Sequence, residues 1–390
     1  MHSSTPVTFN GLHHLRAFAI LFVFLFHYFI LSGGQPTWLP ELAKFGWTGV
    51  DLFFVLSGFL ISSQLFSQIK QGQKISLKQF FLKRFFRIIP AYLLTLLIYF
   101  CVPFFREKES LPAIWKFLTF TQNFGLNLKD QGTFSHAWSL CVEEHFYLLL
   151  PLILLLLQMT RLTKKSYRIL LLLFAAGLIC RMVSFEYFYS PNLESTQSWM
   201  YWYKYIYYPS YNRLDGLLAG VSIAAIYQFM PVFWNKISAY GNQFILMGIL
   251  LLTGAWFLYE DQTTFSASIF GFPLIAVGYG CIVLGAVCPS SILFRCKSGL
   301  TRLIAVLSYA IYLTHKGVIH MTHHLLEDAH LNPNTMLVIC MINCIVAGYL
   351  MHLLVEKPFM NLRKKILNSN RGQVTSVKKK GPYYSPDTDK

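Results

Sequence analysis

Ten stretches of this chain are long and apolar enough to cross a lipid bilayer. They lie at about 11–31, 49–66, 89–105, 141–158, 168–188, 214–230, 243–259, 268–288, 302–325 and 335–355. A hydrocarbon core of ~30 Å is crossed by about 20 helical residues. Inside it every backbone polar group must be paired within the protein, which leaves only helices or closed barrels. The apolar residues here run on without the alternation a membrane barrel needs. The pattern predicts an all-α, polytopic integral membrane protein of about ten transmembrane helices. Charge content agrees: 13% of the 390 residues are charged, against about 25% in soluble domains. No internal repeat and no soluble catalytic domain is evident.

The net charge of +16 points to nucleic acid only until it is mapped onto loops. With the N-terminus placed in the cytoplasm, 23 of the 33 Lys and Arg fall in the cytoplasmic segments 67–88, 159–168, 231–242, 289–302 and 356–390. Seven fall on the opposite side, and Arg16, Arg181 and Lys316 lie within spans. This positive-inside asymmetry predicts both termini in the cytoplasm and assigns the basic charge to topology. Nucleic acid is therefore not an expected partner; membrane lipids are. The first segment lacks the basic leader and small-residue site of a cleaved signal peptide. The eight cysteines have no spacing typical of zinc or a disulfide framework and read as small packing residues; no metal site is expected. Residues 1–366 are expected to form the membrane domain. Residues 367–390, polar and basic, read as a disordered cytoplasmic tail.

Ionisable side chains inside apolar runs are costly and usually mark a pathway or a reaction site. Arg16 and His27 share the first run, GLHHLRAFAILFVFLFHYFIL, about 16 Å apart along a helix. On the deduced topology, five segments bring acids and histidines to the outer half of the membrane. These are His27, Asp51, the Glu143–Glu144–His145 triplet, Arg213 with Asp215, and His315. Each has a plainer reading: a lone histidine can be a packed, hydrogen-bonded residue, and acids near a helix start favour its dipole. Their shared depth favours a polar site. On the cytoplasmic side, Arg84 and Arg87 in FLKRFFRIIPAY share a helix face. Two guanidiniums so placed suit bidentate phosphate contacts, or simple positive-inside anchoring. A phosphorylated donor docked there, its reactive end reaching toward His27, would account for both regions. Acyl-coenzyme A has that shape.

The strings GLHHLRAFAILFVFLFH, GVDLFFVLSGFLI, FLKRFFRIIPAY, WSLCVEEHFYLLLP, RLDGLLAG, SYAIYLTH and VEKPF, in this order from about Leu12 to Phe359, resemble those of the acyltransferase-3 family. That family of bacterial membrane proteins includes O-antigen and other polysaccharide O-acetylases. The resemblance implies a multi-pass inner-membrane enzyme of ten helices. It would move an acyl group, often acetyl in this family, from cytoplasmic acyl-CoA such as acetyl-CoA to a hydroxyl of a cell-surface glycan such as lipopolysaccharide O-antigen, or of another lipid-linked or small-molecule acceptor. It also implies that Arg16 and His27 match the arginine–ten–histidine motif, with His27 catalytic. Arg84 and Arg87 would serve donor binding, and Glu143 matches the acid of the tryptophan–serine–leucine motif. The matched strings add Ser308 and Tyr309 to the outer-half candidates. Some members carry an extra span and an extracytoplasmic hydrolase-like domain; this chain is expected to lack both.

The expected chemistry has His27 as general base toward the acceptor hydroxyl, with Glu143 or Asp51 orienting its ring. Arg16 lies too far toward the cytoplasm to reach the same atoms unless its helix bends. A covalent acyl-histidine relay is the alternative. A proton-coupled transporter would use the same buried groups as relays but predicts inverted repeats, and a purely structural role leaves the cluster unexplained. The aromatic loops 106–140 and 186–213, above all SWMYWYKYIYYPSYN, suit either sugar stacking or membrane interfaces.

Overall fold

The computed structural model describes residues 9–159 and 166–378. Among them all regular structure is helical, with no strand. Eleven helices carry the architecture: α1 (Asn10–Leu31), α2 (Gly49–Lys70), α3 (Leu77–Cys101), α4 (Trp138–Met159), α5 (Ser166–Val183), α6 (Asp215–Phe229), α7 (Gly241–Leu258), α8 (Phe272–Val287), α9 (Gly299–Leu325), α10 (Pro333–Met351) and α11 (Lys357–Lys378). The first ten coincide with the ten apolar stretches of the sequence. Among the described residues, nine helical segments are long and apolar enough to cross a membrane. The segment expected over 214–230 is the one that falls short: α6 has 15 residues, about 22 Å of helix. It packs between α2 and α8, with Asp215, Leu217 and Leu218 buried at its start and Phe229 exposed at its end.

Small residues bring α2 and α6 together. A β-carbon on Gly58 would strike the Leu217 carbonyl, and one on Gly220 the Val55 carbonyl. Backbones this close exchange dispersion contacts along their length, the usual basis of helix association in lipid. Around this pair stand α1, α8 and α9, each contacting α1 or α2. By contrast α5, α7 and α10 expose Leu171, Leu172, Leu246, Ile249, Ile342 and Leu350, a lipid-facing apolar surface.

Local signals set the helix registers that matter for function. The Ser76 hydroxyl accepts from the Gln79 amide at 3.4 Å and starts α3. Arg84 and Arg87 then fall two to three turns in, on one face. The start of α2 is pinned to α8 by the Thr48 hydroxyl, 2.8 Å from that of Tyr279. At the other end of the chain, α10 runs through a π-turn at His352–Glu356 into α11. Residues 367–378, expected as disordered tail, therefore continue as helix, and 379–390 lie outside the described residues. The expectation missed this because α11 is polar on average. Its apolar residues nevertheless recur at helical spacing, and Phe359 packs on Phe86 of α3, ring centroids 6.4 Å apart.

Candidate active site

Three histidines from three helical elements meet in one cluster. The ring centroids of His27 and His315 are 4.8 Å apart, those of His136 and His315 4.9 Å, and those of His27 and His136 5.9 Å. Hydrogen-bond partners assign the protons of the neutral rings. The Tyr312 carbonyl can only accept, so His315 donates to it from Nδ1 at 2.8 Å and keeps Nε2 as an acceptor. The Val23 carbonyl likewise places a proton on Nδ1 of His27, 3.0 Å away. That same N–H lies 3.0 Å from Nε2 of His315. Nε2 of His27 is thereby left with the free lone pair. His136 donates from Nε2 to the Leu313 carbonyl at 3.3 Å, and its buried Nδ1 has no partner among the described residues. Beside the cluster, Lys316 pairs with Glu107 at 2.8 Å and donates to the Ser135 hydroxyl at 3.2 Å. In the adjoining loop, burial and the nearby Lys316 push the Lys108 ammonium below its ordinary value, while Glu107 opposes the shift.

A narrow cavity of about 110 Å³ approaches this cluster from the end of the bundle that carries Arg84. Arg16, Arg84, Arg87, Ser57, Glu143, Tyr309, Ser139 and Tyr312 are among the residues that line it. Glu143 accepts from the Ser57 hydroxyl at 2.8 Å and from the Tyr147 hydroxyl at 3.1 Å. The Arg84 guanidinium sits over the Tyr147 ring at 5.6 Å, and that of Arg87 near the Tyr309 ring at 6.0 Å. Tyr312 joins cavity to cluster: its hydroxyl donates to the His136 carbonyl and lies 2.6 Å from that of Ser139.

The outer-half constellation expected from sequence is thus divided. Of its members, His27 and His315 touch. Glu143, Ser308 and Tyr309 instead share the cavity with Arg16, Arg84 and Arg87. The reason is register: helical structure begins at Ser135, which carries Glu143 two turns down from the outer end. Asp51 is bound to Arg213 at 2.7 Å. Four aromatic rings enclose that guanidinium, Phe272 nearest at 4.2 Å from its centroid and Tyr207 at 4.5 Å. Asp215 holds Arg181 through two hydrogen bonds of 3.0 Å. His145 meets the Ser210 hydroxyl at 2.8 Å and stacks on Phe124. Glu144 faces Glu143 and Arg84 electrostatically. Neither Glu143 nor Asp51 is placed to orient His27; His315 occupies that position. Much of the aromatic loop is likewise internal packing, with Trp202, Tyr207 and Tyr208 buried.

The sequence reading missed His136, Glu107, Tyr312 and Ser139. His136 and Glu107 lie in polar loop segments, where an ionisable residue carries no signal. The spacing of Tyr312 and His315 on α9, three apart and so on one face, was the available clue.

A family model described as an acyltransferase domain (acyltransferase-3) matches residues 9–353. Among curated proteins, a Staphylococcus aureus (strain COL) protein provisionally named an O-acetyltransferase is 28% identical over 381 residues, 92% of this chain and 58% of its own length. The peptidoglycan O-acetyltransferase OatA of Listeria monocytogenes is 29% identical, over 80% of this chain and 50% of its own. The O-acetyltransferase OatA of Staphylococcus aureus is also 29% identical, over 81% and 51%. The chain thus spans 50–58% of the length of these relatives. No solved structure matches.

Proposed function

The chain belongs to the acyltransferase-3 family, and from that premise we propose that it is a membrane-embedded O-acetyltransferase. It takes an acyl group, acetyl, from acyl-CoA on the cytoplasmic side and transfers it to a hydroxyl of a cell-surface glycan. The observation that carries this reading is the free lone pair on Nε2 of His27, in a histidine cluster that Tyr312 joins to an arginine-lined cavity. The same reading places both termini in the cytoplasm and the chain in the bacterial inner membrane.

On this reading the donor's phosphates meet Arg84 and Arg87, and its thin amide-bearing arm runs past Arg16, Ser57 and Glu143. Nε2 of His27 removes the proton from the acceptor hydroxyl as its oxygen attacks the thioester carbonyl. The carbon–sulfur bond breaks, and the imidazolium returns that proton to the leaving thiolate. His315 is a positioning residue: it accepts from Nδ1 of His27 and fixes the tautomer, the part a carboxylate plays in hydrolytic triads. Asp51, Arg213, Arg181 and Asp215 stabilise helix packing and touch no reacting atom.

A glycan acceptor is favoured by the cavity beside Phe26, whose ring centroid lies 5.2 Å from that of His27. Phe26 lines a cavity of about 650 Å³ together with Trp47, Tyr203, Trp256, Glu260 and Asp261. Aromatic faces flanked by carboxylates suit sugar rings and their hydroxyls. Lipopolysaccharide O-antigen and peptidoglycan, the latter in the name of a relative, are the two glycans to compare. Mass spectrometry of both, from cells with and without the gene, tests the reading. Loss of O-acetyl groups from one of them on deletion is expected; unaltered acetylation of every surface glycan would sink it.

A further inference from the structure

Glu107, in the segment between α3 and α4, has a side chain only 2% exposed. One of its oxygens, Oε1, serves two partners from different parts of the chain. The Lys316 ammonium of α9 lies 2.8 Å away, and the Phe134 backbone amide donates to it at 3.0 Å. Both partners adjoin the histidine cluster. Lys316 follows His315 and also donates to the Ser135 hydroxyl. Phe134 lies directly ahead of the Ser135–Ala137 turn that carries His136. Its backbone is left-handed, with φ +56°, a conformation that crowds a β-carbon and persists only where its surroundings enforce it. Here the enforcement is visible. The Phe134 ring is fully buried and stacks on Tyr99 with centroids 4.5 Å apart, while Glu107 holds the amide.

We propose that Glu107 is a positioning residue for the transfer reaction. Its carboxylate ties the turn before α4 to α9 and so sets His136 against His315, which in turn orients His27; this rests on the reading of His27 as base given above. The turn meets α9 at successive points. His136 donates to the Leu313 carbonyl at 3.3 Å, and its own carbonyl accepts from the Tyr312 hydroxyl. Its ring centroid lies 4.9 Å from that of His315. The ion pair is worth more here as a fixed geometry than as stability, since a buried pair is often no more stabilising than apolar residues of similar volume. Both bonds converge on Oε1, so the cluster depends on where that oxygen stands more than on the charge it carries. A shift of the turn passes to the ring of His27, and a misplacement of ~1 Å at a reacting group can cost about 10²-fold in rate.

Two substitutions separate oxygen position from charge. E107Q keeps an oxygen at the same reach and removes the charge; E107D keeps the charge and draws the oxygen back by one methylene. Turnover is followed with labelled acetyl-CoA in membranes holding the full chain and their own surface glycans, per folded molecule counted by fluorescence-detected size exclusion. E107Q is expected within about threefold of wild type and E107D at least about tenfold below it, with the donor KM of both nearly constant. E107A, which removes both bonds, should match E107D and stands in for it if E107D does not accumulate. A purely structural role changes the amount of folded protein and leaves turnover per molecule alone, so wild-type turnover in E107D or E107A overturns the proposal. So does E107D ahead of E107Q, equal loss in the two, or an E107Q that does not fold. H27Q in the same membranes keeps the two readings apart. Wild-type turnover there overturns the base reading together with this proposal, whereas an inactive H27Q with the reversed order overturns the role of Glu107 alone.

Discussion

His27 is held by two partners that fix its ring without neutralising it: a carbonyl of its own helix and an imidazole of α9. If Nε2 is the base, H27A and H27Q should lower kcat by about 10²–10⁴-fold. The donor KM should stay nearly constant, as followed with labelled acetyl-CoA in membranes. H315A frees the ring to adopt the other tautomer. It should cut kcat less than H27A and alter the pH profile, whereas a packing role would leave that profile in place. Accumulation of a hydroxylamine-sensitive acyl group on wild type without acceptor would instead make His27 the nucleophile. Arg213 belongs to a different kind of site. Removing it in R213A strands Asp51 in a buried aromatic box, at a cost of about 3–5 kcal/mol. Thermal unfolding in detergent should register that loss before any kinetic effect is resolved. Sequence made Arg16, His27, Arg84 and Arg87 visible because an ionisable group inside an apolar run stands out. It left Asp51 with the wrong partner, because Arg213 is 162 positions away and only the folded chain sets such a pair.

Helices place these residues, and their errors of register explain most of what sequence reading missed. All ten apolar stretches became helices, since long continuous hydrophobicity has few other outcomes in lipid. What hydrophobicity does not report is where a helix begins relative to its polar residues. The turn at Ser135–Ala137 precedes α4 and moves Glu143 from the expected outer cluster to the arginine-lined cavity. Composition also hid α11, whose polar average conceals a usable apolar face. The α2–α6 pair is the most exacting contact of the bundle. G58L and G220L force a side chain into a facing carbonyl and should prevent accumulation of folded protein, assayed by size-exclusion chromatography after mild solubilisation. Substitutions to Ala at the lipid-facing Leu246 or Ile342 should be tolerated under the same assay.

At the scale of the whole molecule, the charge map predicts a sidedness that accessibility can check. A cysteine replacing Lys365 should react with an impermeant maleimide only after the membrane is opened. One replacing Asn332, at the start of α10, should react in intact spheroplasts. The reverse pattern would invert the proposed direction of transfer. Family and fold were legible from sequence. The meeting of His27, His136 and His315 was not, since it depends on how three separate elements lean together. Finally, α6 has a consequence for how far chemistry must reach. At about 22 Å it is shorter than a hydrocarbon core of ~30 Å. On the proposed reading, an acetyl group handed across so thin a partition would change compartments while its carrier stays home, with no pump to move either partner.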